Sequence, residues 1–95
     1  MKLRIRTKAR RDLEDILDYS IAEFGEDVAE AYLLTIGAAL NQLVDHPKLG
    51  LARFDLAEGL RSLSAGEHRI YYRLDVDKIS VARVLHKAMD PARHF

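Results

Sequence analysis

Leu3 and Ile5 alternate with Arg4 and Arg6, the two-residue period of a short strand with one buried face. Past Thr7, a residue suited to capping a helix, the period changes. Ala9, Leu13, Ile16, Leu17, Ser20, Ile21 and Phe24 recur at three- and four-residue spacing with acids on the opposite side, which predicts an amphipathic surface helix. Gly25 suits the left-handed turn that ends it, and Glu26 or Asp27 opens a second helix with negative charge at its positive end. There Ala29, Leu33, Ile36, Leu40, Leu43 and Val44 form a broad apolar stripe, and Pro47 after His46 supplies the stop. The two helices make a hairpin.

Residues 48–58 (KLGLARFDLAE) have no clean period and read as a long loop pinned by Leu51, Phe54 and Leu56. Three strands follow. GLRSLS leads through a tight AGE turn into HRIYYRLD, where His68, Ile70, Tyr72 and Leu74 share one face and Arg69, Tyr71 and Arg73 the other. After VDK, the run ISVARVLH sets Ile79, Val81 and Leu85 against Ala82 and Val84; apolar on both faces, it predicts a central strand. The order is therefore β-α-α-β-β-β. Residues 1–95 form one α+β domain, a small and mostly antiparallel sheet packed on a helical hairpin.

Composition narrows the functional classes. At 95 residues there is room for one core and no large enclosed pocket. AYLLTIGAAL, the longest apolar run, is too short to cross a bilayer. The basic start MKLRIRTKARRDL lacks the apolar stretch of a secretory signal. Without cysteine there are no disulfides and no thiolate metal sites, and the reducing cytoplasm is the expected location. The net charge of zero conceals a segregated pattern: residues 2–11 carry six Lys or Arg and no acid, and residues 12–30 carry eight acids and no Lys or Arg. A basic patch and an acidic helix can thus coexist on one small domain.

With the helices on one sheet face, the other face holds the candidate chemistry. Simple meander pairing places Arg69, Tyr71 and Arg73 near Arg61 on one neighbouring strand and Arg83 on the other. Guanidinium groups bind carboxylates and phosphates in pairs of hydrogen bonds, so such a face suits an acidic peptide or a nucleic-acid backbone. The closing run RVLHKAMDPARHF adds His86, Arg93 and His94. His86, Asp90 and His94 are four apart, a metal-ligand spacing on a continuous helix, but Pro91 pushes Asp90 out of helical geometry, so no metal site is expected. Arg73, Arg83 and His86 are the set an RNA-cleaving site would use: histidine to move the proton, arginine to stabilise the charged phosphorane. No cofactor is expected.

Three stretches carry a family likeness: GLRSL, EHRIYYR and VARVLHKAMDPARHF, with ARRDLEDILDY as the first helix. Together they resemble the ParE-type toxins of the RelE/ParE superfamily across nearly the whole chain. The Val-Leu-His-x-x-Met-Asp-x-x-Arg-His run from Val84 to His94 is the most specific part. The resemblance implies a toxin of a bacterial toxin-antitoxin pair, neutralised by a ParD-like antitoxin that wraps a C-terminal segment around it, with DNA gyrase as the target. The RelE-like branch instead cleaves mRNA on the ribosome and remains the alternative, as does a non-toxic member that only binds its antitoxin. Residues 48–58 hold only Lys48 and Arg53 where a ribonuclease wants a denser basic cluster, which favours the gyrase branch. The expected partner-binding residues are Arg61, Arg69, Tyr71, Arg73, Arg83, His86, Arg93 and His94.

Overall fold

A computed structural model describes residues 1–95. Strand β1 (Lys2–Ile5) leads into helices α1 (Thr7–Phe24) and α2 (Glu26–Asp45). Strands β2 (Leu51–Ala52), β3 (Leu60–Ala65), β4 (His68–Leu74) and β5 (Lys78–His86) follow, and a single 3-10 turn at Pro91–His94 closes the chain. The strands lie side by side in the order β1-β5-β4-β3-β2, with β1 parallel to β5 and the rest antiparallel. The α+β order read from the sequence holds. Its one omission is β2, whose two residues pair with Ser62 and Arg61 inside the segment expected to be loop; two residues are too few for an alternation to show.

Local chemistry explains the boundaries. Gly25 adopts φ 85°, and its N–H closes α1 on the carbonyl of Ile21 at 2.9 Å, a conformation open to glycine at little cost. It also serves as the N-cap of α2, whose first turn carries Glu26 and Asp27 as expected. The start of α1 departs from expectation: Thr7 is its first helical residue, the N-cap is Arg6, and no side chain caps it. Along β5 the alternation slips once. Tyr71 pairs with Arg83 but Tyr72 pairs with Val81, so Ala82 is an extra residue, a bulge. Ile79, Val81 and Val84 consequently face the helices while Arg83 and Leu85 turn away, rather than Leu85 lining up with Ile79 and Val81.

The main core lies between the helices and one sheet face. Ala9 and Ile16 of α1 and Ile36, Leu40 and Leu43 of α2 pack on Ile70, Tyr72, Ile79, Val81 and Val84. Each fully buried large side chain is worth about 1.5–3 kcal/mol. On the opposite face Leu60, Tyr71 and Leu85 form a separate small cluster, covered by Leu56 and Ala57 from the β2–β3 connection. The sheet is therefore covered on both faces, deeply on one and thinly on the other.

Candidate functional site

The middle strand points Arg69, Tyr71 and Arg73 away from the helices, as alternation requires, but the expected ring of four arginines around a tyrosine does not form. Tyr71 is buried, with Phe95 against its ring at 5.2 Å between centroids and the Arg53 guanidinium 5.8 Å from its centre. Arg61 pairs with Tyr72 and so belongs to the helix-side face, where its guanidinium donates to the carbonyls of Gly50 and Lys48 at 3.1 and 3.2 Å. The meander pairing that grouped Arg61 with Arg73 was out by one position, which reverses the face of a side chain.

Arg83 does face away from the helices, yet it is already engaged. Strand β1 ends at Ile5, opposite Val81, so the outer edge of β5 beyond that point is unpaired by strand. Helix α1 passes there and presents Asp12. Its carboxylate accepts from Arg83 Nε at 2.8 Å, from Arg83 Nη2 at 2.9 Å and from the backbone N–H of Val84 at 2.9 Å. The two side chains are only 17% and 12% exposed, and the Asp12 hydrogen bonds hold the Arg83 pKa above the ordinary arginine value. A guanidinium neutralised in this way has little positive field left for a phosphorane. Asp12 was not singled out from the sequence; that it is the first acid after the basic run is the one sign of it.

The closing segment is divided among local tasks. His86 Nδ1 accepts the N–H of Ala88 at 2.9 Å, fixing the turn after β5. Asp90 accepts the N–H of Ala92 at 3.1 Å and so caps the 3-10 turn, and Arg93 reaches it only at 3.9 Å on the surface. His94 Nδ1 meets Arg83 Nη1 at 3.2 Å. His86 pairs with His68 on the helix side of the sheet, whereas Arg73 pairs with Ser80, six residues earlier along β5. Six residues of strand span roughly 20 Å. The Arg73, Arg83 and His86 set is thus split between two faces.

His68, half-buried, is held by Tyr32. The Tyr32 hydroxyl accepts the N–H of Glu67 at 2.9 Å and shares a second hydrogen bond with His68 Nδ1 at 2.5 Å, which fixes the plane of the imidazole. Burial pushes the His68 pKa below its ordinary value, and the neighbouring His86 adds to the effect.

Two open surfaces remain near these residues. On the thinly covered face, a groove of about 620 Å³ runs between the β2–β3 edge and the closing segment; Leu49, Leu51 and Met89 line it together with Arg53, Arg69 and Lys87, and no acid does. At the hairpin end of the helices a smaller apolar hollow is lined by Tyr19, Phe24, Val28 and Tyr32, with His86 and Glu67 at its rim. Tyr19 and Phe24, side by side in the hollow, and Leu51 in the groove are all more than half exposed. No helix is long and apolar enough to cross a membrane.

The two-helix hairpin on a five-stranded mixed sheet is a fold shared with chains of solved ParDE and RelBE toxin-antitoxin systems. Residues 3–91 match the family described as ParE toxin of the type II toxin-antitoxin system parDE, and the chain belongs to that family. It is similar to Toxin ParE1 of Caulobacter vibrioides, at 32% identity over 97% of this chain and 95% of that protein. It is likewise similar to Toxin ParE1 of Mycobacterium tuberculosis, at 38% identity over 92% of this chain and 90% of the other. Among solved structures, a chain from the chromosomal ParDE system of P. aeruginosa shares the fold with a TM-score of 0.80 at 23% identity, over 90% of this chain and 95% of that one. A chain of the toxin-antitoxin complex RelBE2 from Mycobacterium tuberculosis matches with a TM-score of 0.56 at 27% identity, covering 90% and 96% of the two chains.

Proposed function

We propose that this toxin acts by binding DNA gyrase rather than by cutting RNA, and that a ParD-like antitoxin holds it inactive in a hetero-oligomer. The observation that carries the first part is the fate of the three groups a ribonuclease would need. Arg83 is locked to Asp12, His86 lies on the helix side, and Arg73 stands about 20 Å away on the other face. General acid-base catalysis needs the proton carrier within hydrogen-bond reach of the phosphate that the arginines hold, so this arrangement supports a binder over a nuclease. The choice of gyrase rests on the likeness of the Val84–His94 run to ParE toxins.

The antitoxin reading draws on the groove beside β2. Its lining mixes Leu49, Leu51 and Met89 with Arg53, Arg69 and Lys87, which suits a segment with both apolar and acidic side chains that orders on binding. The RelBE2 neighbour was solved as a toxin-antitoxin complex, which favours a partner of the same kind here. Arg69 is the expected partner-binding residue best placed for this role.

The test is a supercoiling reaction containing gyrase, ATP, relaxed plasmid and the purified chain. Supercoiling should be lost, linear DNA should appear after protein denaturation, and the antitoxin should restore normal activity. Undiminished supercoiling at large toxin excess would remove gyrase from the account.

A further inference from the structure

The basic side chains of the N-terminal segment belong neither to the antitoxin groove nor to the core, and the structure places Arg6 and Lys8 around a third opening. An open cleft of about 500 Å³ lies where α1 begins, bordered by Arg6, Thr7, Lys8, Arg73, Asp75 and Ser80. Three cations thus face one carboxylate. The ion pairs of the chain engage Arg53, Arg83 and Arg93, leaving Arg6, Lys8 and Arg73 free.

Two further features point inward. The first N–H bonded back along α1 is that of Arg10, to Arg6 at 2.9 Å, and no side chain caps the helix or places an acid in its first turn. The N–H groups of Thr7 and Lys8 are therefore unpaired at the positive end of an 18-residue helix. Independently, Ser80 is 91% buried, since only 9% of it is exposed; it lines the cleft, and its hydroxyl makes no hydrogen bond within the chain. No side-chain polar atom is sealed from solvent without a partner, so the Ser80 hydroxyl is reached from the cleft, where water or a ligand completes it.

We infer that this cleft is a phosphate-binding site. Unpaired helix N–H groups, a serine hydroxyl and the forked donors of Arg6 and Arg73 are the groups that recognise a phosphate oxyanion. Lys8 adds a point charge, and with three cations against the one carboxylate of Asp75 the cleft keeps a net positive charge. The source is either a free phosphate or one phosphate of a nucleic-acid backbone. The inference is independent of the identity of the toxin's target.

The experiment is a titration of the ¹⁵N-labelled chain with inorganic phosphate, against chloride at equal ionic strength, and separately with a short DNA duplex. Phosphate should shift the Thr7 and Lys8 amides saturably while chloride does not. Arg73→Gln should weaken binding about tenfold, as expected for loss of a charged hydrogen bond. Ser80→Ala should weaken it about threefold, as for a neutral one. Both variants should keep the remaining amide positions, which verifies that they fold. If the duplex moves the same amides and competes with phosphate, the source is a polymer backbone; if phosphate alone does so, it is the free ion. Shifts spread evenly over all the surface cations, or shifts at Thr7 and Lys8 that neither substitution weakens, would overturn the assignment.

Discussion

Tyr71 and Tyr72 are neighbours in the chain and both are buried, yet they belong to different layers. Tyr72 lies in the main core beneath the helices, and its hydroxyl donates to the carbonyl of Pro47 at 2.9 Å and accepts the N–H of Gly50 at 2.8 Å. Tyr71 lies in the small cluster on the other face, under Phe95 and Arg53. Two long helices cover the first face; a short connection and the last residue cover the second. Burial of equal depth therefore rests on covers of unequal strength, and the thinner cover is the side on which the chain presents a groove.

Substitutions that separate the two layers sharpen this contrast. Asp12→Ala should have the largest effect, because it removes the group that ties α1 to the open edge of β5 and leaves Arg83 nearly buried and unpaired. A loss of about 3 kcal/mol is expected from chemical denaturation. Tyr72→Phe should cost about 2 kcal/mol by leaving the buried N–H of Gly50 without its acceptor. The approach is close enough to require glycine, since a Cβ at position 50 would lie 2.6 Å from the Tyr72 hydroxyl and 2.8 Å from the carbonyl oxygen of Ser62. On the thin side, Phe95→Leu, which keeps apolar bulk over Tyr71 and removes the aromatic pair, should cost only about 1 kcal/mol and lower the melting temperature by about 5 °C. If Phe95→Leu destabilised as much as Tyr72→Phe, the two covers would be of similar strength and the contrast would fail.

The smallest effect concerns pH. The folded pKa of His68 lies below its ordinary value of 6.5, so on acidification the unfolded chain takes up the proton first. The contribution of neutral His68 is fully present above 6.5 and is lost as the pH falls from there through the lower folded value. The melting temperature of the native chain should drop between about pH 7 and about pH 5 by more than that of His68→Gln. Parallel curves would mean that burial beside His86 does not hold His68 neutral.

The helix-side layer was legible because its apolar residues repeat along helices and strands, from Ala9 to Phe24 and from Ile70 to Leu74. What decided the other face was not periodic. The bulge at Ala82 turns Arg83 and Leu85 to one side with no sign in the local pattern. The cover over Tyr71 comes from Leu56 and Phe95, which are distant in the chain. Arg61 changed face through a pairing register that only the assembled sheet fixes. The family likeness of the closing run anticipated the fold and the toxin class, whereas the engagement of Arg83 by Asp12, 71 residues away, depends on tertiary contact alone.

That engagement bears on the central claim, that the chain disables its target by binding rather than by catalysis. The most direct measurement is to add the purified toxin to a reconstituted translation reaction and map the ends of the mRNA, with His86→Gln in parallel. The mRNA should stay intact with either protein. Cuts at defined positions that fall several hundred-fold with His86→Gln, the loss expected for a general acid-base residue of about that catalytic worth, would contradict the account and make this chain a nuclease.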